Sequence, residues 1–118
     1  MNIYTKFTFC YMVIITYLSH MSQNSVSGYV PEYNNMDLIL HFVEYTILGF
    51  FLFKSLSTDE LFNINSIYGA IFIGIIFGFF DELHQNFVPG RQMSLADLLF
   101  DSFGTLFGVY ISVEFFSE

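Results

Sequence analysis

Four long apolar stretches separated by short polar connections are the main feature of this 118-residue chain. The third stretch is the clearest, because no charged residue occurs between Glu60 and Asp81. The connections are rich in Ser, Asn, Gly and Pro, which favour turns over helix. A helix that crosses a bilayer needs about 20 largely apolar residues. The pattern therefore predicts membrane-spanning helices at about 5–19, 37–57, 64–82 and 96–116.

The first stretch is short and follows Lys6, as the apolar region of a secretory signal peptide would. Signal peptides end in small residues at the cleavage site. Here the stretch is followed by Ser19-His20-Met21-Ser22, which places bulky residues at most of the candidate positions. We therefore expect the first helix to be retained.

Composition and charge narrow the class of protein further. Apolar residues make up 54% and charged residues 12% of the chain, whereas soluble domains carry about 25% charged residues. A net charge of −8 excludes a protein that tracks nucleic-acid phosphates. The single cysteine, Cys10, excludes a disulfide framework and a thiolate metal cluster. The predicted fold class is all-α, an integral membrane four-helix bundle that forms one domain over residues 1–118.

Ionisable and polar residues collect at one end of the predicted bundle. Helices joined by short turns alternate in direction, so the start of the second helix, the end of the third and the start of the fourth share one membrane surface. The residues at these positions are Asp37, His41, Tyr45, Asp81, Glu82, Gln85, Arg91, Asp97 and Asp101. An ionisable group inside a span costs roughly 2.5–3.5 kcal/mol on insertion scales. We therefore expect these side chains to face inward and to form a common pocket.

Two stripes combine glycine with polar residues at helical spacing. They comprise Gly74, Gly78, Asp81 and Gln85 on the third helix, and Asp97, Asp101, Gly104 and Gly108 on the fourth. Small residues four positions apart let helix backbones approach closely in lipid, so we expect the two glycine stripes to pack against each other. Ser94 followed by Asp97 predicts a capping box at the start of the fourth helix.

The predicted pocket has two alternative chemistries. In the first, a divalent cation is held by Asp81, Glu82 and Asp101 together with His41, because carboxylates suit Mg²⁺, Ca²⁺ or Mn²⁺. In the second, the groups neutralise one another, with Arg91 bridging two carboxylates and His41 protonated. Arg91 also suits a phosphate or carboxylate of a lipid-linked ligand. The sequence contains no nucleophile elbow, P-loop or dinucleotide fingerprint.

Three motifs in this order resemble the VanZ-like family, and the second is the most specific. They are Asp37-x-x-x-His41-x-x-x-Tyr45-x-x-x-Gly49, then Gly78-x-x-Asp81-Glu82-x-x-Gln85-x-Phe87-x-Pro89-Gly90-Arg91, then Asp97-x-x-x-Asp101-x-x-Gly104-x-x-x-Gly108. The resemblance implies a small bacterial membrane protein of the cell envelope, and the namesake of the family is linked to teicoplanin resistance. Leu38 stands where the family usually has lysine, and Asp101 where asparagine is usual. Both departures make the pocket more acidic, which favours a cation or a basic ligand.

Two functional hypotheses follow, and proton-linked transport is a weaker third because four spans leave little room for alternating access. The first is an enzyme acting on a lipid-linked envelope substrate, with His41 as acid or base and Asp81, Glu82 and Asp101 as metal or proton partners. Its ligand-binding residues are Arg91, Gln85, Tyr45, Asp37 and Asp97. The second is a non-catalytic protein that sequesters a ligand or stabilises a partner membrane protein or oligomer, with a structural ion-pair cluster.

The basic residues give a weak prediction of orientation. Lys6 and Lys54 are expected at the end away from the pocket, and Arg91 at the pocket end. Since Lys and Arg favour the cytoplasmic side, we expect a multi-pass protein of the plasma (inner) membrane with both termini in the cytoplasm.

Overall fold

Four α-helices make up most of the described chain, which comprises residues 1–20, 34–61, 63–88 and 94–116 of a computed structural model. No strand occurs in these ranges, so the prediction of an all-α fold is confirmed. The helices are α1 (Ile3–His20), α2 (Asn34–Thr58), α3 (Ser66–Gln85) and α4 (Leu95–Phe116). α2 begins three residues before the apolar stretch and α3 ends three residues after it, because hydropathy marks only the apolar part of a helix.

Three of the described helices are long and apolar enough to cross a membrane. The qualifying segments are Leu38–Thr58, Ser66–Gln85 and Leu95–Phe116. At 1.5 Å per residue, 20 residues span about 30 Å, the thickness of a bilayer hydrocarbon core. The apolar part of α1, Ile3–Ser19, is shorter.

Among the described residues, many buried side chains are polar and many large exposed ones are apolar. Phe72 and Tyr110 expose 67% and 63% of their surface, whereas Thr105 and Ser112 are fully buried. Water would make this distribution unfavourable, because contiguous exposed apolar surface drives association. A bilayer makes it favourable, because lipid accepts the apolar surface and leaves polar groups to satisfy one another inside.

The backbones of α2 and α4 approach closely at glycines. A Cβ atom added at Gly104 would lie 2.5 Å from the carbonyl oxygen of Phe42, and one added at Gly108 would collide with the carbonyl oxygen of Thr46. Only hydrogen fits at these positions. The glycines of α4 therefore define its interface with α2.

The glycines of α3 face a different surface of α4. Gly74 lies against the Thr105 side chain, and a Cβ added at Gly78 would lie 3.2 Å from the Cβ of Asp101. Gly78 thus meets Asp101 of the other stripe, but the expectation that the glycines of the two stripes pack against each other is wrong, because Gly104 and Gly108 face α2. α4 presents neighbouring faces to two helices, and the spacing of glycines along one helix does not specify which neighbour each face meets.

α1 is attached to the end of α2 by hydrogen bonds to Asp59. The hydroxyl of Thr5 and the backbone N–H of Asn2 each donate to Asp59 Oδ2 at 2.7 Å, and the N–H of Leu61 donates to Oδ1 at 3.0 Å. The Thr5 hydroxyl also lies 2.6 Å from that of Ser55. These donors, the Thr5 hydroxyl foremost, lower the pKa of Asp59 to about 2, because hydrogen bonds to a carboxylate favour its charged form.

The helices alternate in direction. The ammonium of Lys54 near the end of α2 lies 3.7 Å from the ring centroid of Phe116 at the end of α4, and 5.2 Å from that of Tyr4 at the start of α1. Such cation–π contacts stabilise this end of the bundle. The predicted polar residues therefore lie at the opposite end.

Candidate functional site

Buried polar side chains from all four helices meet at the end of the bundle opposite Lys54. We call this group the polar cluster, and each member exposes 8% of its surface or less. Its members are Ser19 of α1, His41 and Tyr45 of α2, Asp81, Glu82 and Gln85 of α3, and Asp97 and Asp101 of α4. Residues far apart in sequence thus share one site, as the alternation of helices predicts.

The imidazole of His41 lies among three carboxylates of α3 and α4. Its Nδ1 is 2.7 Å from Oδ1 of Asp101, a hydrogen-bond distance, and 4.0 Å from Oε2 of Glu82. Its Nε2 is 3.8 Å from Oδ2 of Asp97. The hydrogen bond between Nδ1 and Asp101 fixes the orientation of the ring and therefore the direction in which Nε2 points.

The start of α4 is capped by residues of two helices. The Ser94 hydroxyl accepts a hydrogen bond from the N–H of Asp97 at 3.2 Å, which is one half of the predicted capping box. In the other half, the N–H of Ser94 would bond the Asp97 carboxylate. Instead, that N–H donates to Oε1 of Glu82 at 3.1 Å. Glu82 therefore connects α3 to the first turn of α4, and the Asp97 carboxylate lies beside His41.

Asp81 occupies a second region of the polar cluster. Its Oδ2 accepts hydrogen bonds from the Ser19 hydroxyl at 2.8 Å and from the Tyr45 hydroxyl at 3.3 Å. Tyr45 is fully buried, and a buried phenol requires such a partner. These bonds link α1, α2 and α3 through one carboxylate.

One of the two carboxylate oxygens of Asp101 has a hydrogen-bond partner among the described residues, and the other has none. Oδ1 bonds His41, whereas Oδ2 is buried and has no hydrogen-bond partner among the described residues. This oxygen lies beside Gly78, where an added Cβ would be 3.4 Å from Oδ2. A buried carboxylate oxygen without a donor is unusual and requires an explanation.

The charge of the polar cluster is strongly unbalanced among the described residues. Four buried carboxylates surround one buried imidazole, that of His41. Buried charges require partners, so this arrangement favours bound protons or a bound cation. His84 is exposed on the neighbouring face of α3 and does not belong to the cluster.

The structure brings together most of the predicted site residues. His41, Tyr45 and the residues predicted on α3 and α4 lie in the polar cluster. Arg91 and the side chain of Asp37 lie outside the described residues, so the predicted contacts of both stay predictions. The roles assigned to the placed residues also stay predictions.

The donor atoms that lie within reach of one ion differ from the predicted set. Those of His41, Glu82 and Asp97 lie within 4.8 Å of one another, whereas the sequence analysis grouped His41 with Asp81, Glu82 and Asp101. Asp81 instead bonds hydroxyl groups, and Asp101 bonds the imidazole. Asp97, predicted as a cap and a ligand-binding residue, is the added donor.

Ser19 is the cluster residue that sequence reasoning missed. It was considered only as part of a cleavage site, since serine at a helix end is common. A signal was nevertheless present, because small or polar residues recur at helical spacing along the packed face of α1. Thr5, Thr8 and Ser19 are all buried on this face, together with the apolar Ile15.

Comparison with known proteins identifies one family. The family model described as VanZ/LLP1 matches residues 3–116, which is nearly the whole chain. Neither the curated proteins nor the solved structures gave a match.

Proposed function

The chain belongs to the VanZ/LLP1 family, and on this premise we propose that it is a bacterial cell-envelope membrane protein that contributes to teicoplanin resistance by binding a lipid-linked envelope substrate. The observation that carries the proposal is the convergence of His41 with Glu82, Asp97 and Asp101 at one end of a membrane bundle. Clusters of interacting titratable groups in one place are typical of functional sites.

The position of the polar cluster suits a ligand with a lipid tail. Helix ends that lie at a membrane surface meet the polar headgroups, while the exposed apolar side chains of the same helices face acyl chains. A lipid-linked molecule has the same division between a polar head and an apolar tail. Its headgroup would therefore meet the polar cluster.

Within this proposal, His41 is the central contact residue. The hydrogen bond between Nδ1 and Oδ1 of Asp101 orients the ring, as carboxylates orient imidazoles in many functional sites. Binding alone accounts for this arrangement.

A resistance assay with matched histidine variants tests the proposal. The chain and its variants His41→Gln and His84→Gln are produced in a teicoplanin-susceptible bacterium, with membrane levels checked by immunoblot. We expect the wild type and the exposed-site variant His84→Gln to raise the inhibitory teicoplanin concentration, and His41→Gln to lose this effect. Equal resistance of the two variants at equal protein levels would contradict the proposal.

A second candidate function is that of an accessory protein that stabilises a partner membrane complex. The hydrogen bonds from Ser19 and Tyr45 to Asp81 favour it, because they link three helices as a structural network does. Under this alternative, resistance follows the amount of folded protein in every variant, with no additional loss in His41→Gln. Measuring thermal stability alongside resistance separates the two functions.

We also propose that the protein lies in the plasma membrane with both termini in the cytoplasm. Lys54 lies at the end opposite the polar cluster, and α1 places Lys6 near that end. The positive-inside rule then directs the polar cluster to the outer surface of this membrane.

A further inference from the structure

We propose that His41, Glu82 and Asp97 bind one divalent transition-metal ion and that Asp101 orients the histidine ligand. The inference rests on the proposed function in that it assigns the ion to the same polar cluster. It adds the class of ligand, which is a transition-metal ion, the three side chains that bind it, and the residue that orients one of them.

The distances between the donor atoms suit a shared ion. Nε2 of His41 and Oδ2 of Asp97 lie 3.8 Å apart, and one donor from each of the three residues lies within 4.8 Å of the others. Zn²⁺ binds imidazole nitrogen and carboxylate oxygen at about 2.0–2.2 Å, so two donors on one ion lie at most about 4.4 Å apart. Oε2 of Glu82 lies 4.0 Å from Nδ1 of the same ring, so the third carboxylate also borders the imidazole.

The bond between His41 and Asp101 matches the environment of a metal-binding histidine. Such a histidine usually donates its other ring N–H to a carboxylate, which fixes the tautomer and the ring orientation. Here Oδ1 of Asp101 lies 2.7 Å from Nδ1. The arrangement leaves Nε2, on the side of Asp97, as the metal-binding nitrogen.

A separate observation points to a ligand that the described residues do not supply. Oδ2 of Asp101 is buried without a hydrogen-bond partner among the described residues. The other oxygen of this carboxylate bonds Nδ1 of His41, so the unpaired oxygen belongs to the same polar cluster as the proposed donors. A buried polar atom of this kind is generally satisfied by a bound water molecule or ion.

The ligands are positioned by rigid elements. His41 lies in α2, Glu82 lies in α3, and Asp97 lies in the first turn of α4. Oε1 of Glu82 accepts a hydrogen bond from the N–H of Ser94, the capping residue of α4. The Glu82 carboxylate therefore supplies one ligand atom and also positions the helix that carries Asp97, the next ligand. Sites on helices are more accurately held than sites on loops.

The donor set favours Zn²⁺ or Mn²⁺ over Mg²⁺ or Ca²⁺. Imidazole suits the transition metals, whereas Mg²⁺ and Ca²⁺ prefer oxygen alone. The ion would also balance part of the charge of the four buried carboxylates. With the ion bound, an acidic cluster becomes able to accept an anionic headgroup, which bare carboxylates would repel.

Metal titration of the purified full-length protein tests the inference. Protein in detergent is stripped with EDTA and titrated with Zn²⁺, Mn²⁺ and Mg²⁺ in a calorimeter. We expect one equivalent of Zn²⁺ or Mn²⁺ to bind the wild type and the control variant His84→Gln, and neither ion to bind His41→Gln or Asp97→Asn stoichiometrically. Asp101→Asn should bind about 10–100-fold more weakly, as changes of outer-shell partners generally do.

Three results of the titration would contradict the proposed metal site. No stoichiometric binding to the wild type, tighter binding of Mg²⁺, or equal binding by Asp97→Asn would overturn it. Circular dichroism verifies the fold of each variant, and Asp97→Asn decides the matter if His41→Gln does not fold. The titration does not measure resistance. A failure here beside His41-dependent resistance therefore overturns only the metal site, and metal binding without resistance overturns only the proposed function.

Discussion

Asp81 and Asp101 are both buried carboxylates, yet different partners hold them. Oδ2 of Asp81 accepts two hydroxyl donors, one of them from Ser19 of α1, whereas Oδ1 of Asp101 bonds the imidazole of His41. The first arrangement is typical of a structural network, and the second of an oriented functional group. At the residue scale, the polar cluster therefore contains both kinds of interaction.

The Ser19 hydroxyl should contribute to stability because it serves a buried carboxylate. Ser19→Ala removes the 2.8 Å bond, and we expect the free energy of unfolding to fall by about 1–3 kcal/mol, the range for hydrogen bonds to charged or buried groups. The matched control is Thr16→Val, because the exposed Thr16 hydroxyl bonds the Met12 carbonyl of its own helix. Denaturant titration in detergent provides the measurement. Equal losses for the two variants would argue against a role for Ser19 at Asp81.

At the element scale, the contact between α2 and α4 positions the functional groups. Gly104 and Gly108 allow the two backbones to approach, and this approach brings Asp101 to His41. α3 packs on the adjacent face of α4 through Gly74 and Gly78. The polar cluster therefore depends on helix separations that only hydrogen side chains permit.

Gly108→Ala should disrupt the bundle, whereas Gly69→Ala should not. The added methyl at Gly108 collides with the Thr46 backbone, which cannot move independently, and overpacking of this kind costs about 1–3 kcal/mol. At Gly69 the methyl meets flexible ends of Ile64 and Leu56 at 2.8 and 3.0 Å. Replacing glycine by alanine in a helix also gains about 1 kcal/mol, which offsets the adjustment.

Thermal unfolding in detergent compares the two glycine variants directly. We expect a lower midpoint for Gly108→Ala and a midpoint near that of the wild type for Gly69→Ala. A Gly108→Ala protein as stable as Gly69→Ala would show that the backbones of α2 and α4 can separate at no measurable cost.

At the scale of the whole molecule, large apolar side chains are exposed and many polar ones are buried, the reverse of a soluble protein. The ionisable residues are also distributed unevenly between the two ends of the bundle. Carboxylates and an imidazole are buried at one end, and Lys54 lies at the other beneath aromatic rings. A bilayer favours the outward-facing apolar surface, and the distribution of lysines favours one orientation across it.

Cysteine labelling tests that orientation. In a Cys10→Ala background, Asn86→Cys places an exposed thiol after α3 at the end that carries the polar cluster, and Glu60→Cys places one after α2 at the opposite end. We expect a membrane-impermeant maleimide to label Asn86→Cys in intact cells, and Glu60→Cys only after permeabilisation. The reverse pattern would place the polar cluster on the cytoplasmic side.

Much of the candidate site was predictable from spacing, because an apolar helix with ionisable residues on one stripe must turn them inward. His41 and Asp101 were identified in this way, each about one turn inside its predicted span. Ser19 was missed because a lone serine is a common residue in many settings. The expected packing of the glycines of α3 on those of α4 was wrong because spacing along one helix does not identify its neighbour.

The sequence by itself determined the helical fold, the alternation of helix direction and the end at which polar residues gather. These properties follow from local periodicity and from the cost of placing ionisable groups in lipid. Only the tertiary structure decided which atoms meet: Asp101 and Asp97 on opposite nitrogens of His41, Glu82 at the cap of α4, and Ser19 at Asp81. The physical reason is that such contacts depend on the rotation and separation of packed helices, which arise from all the interfaces acting together.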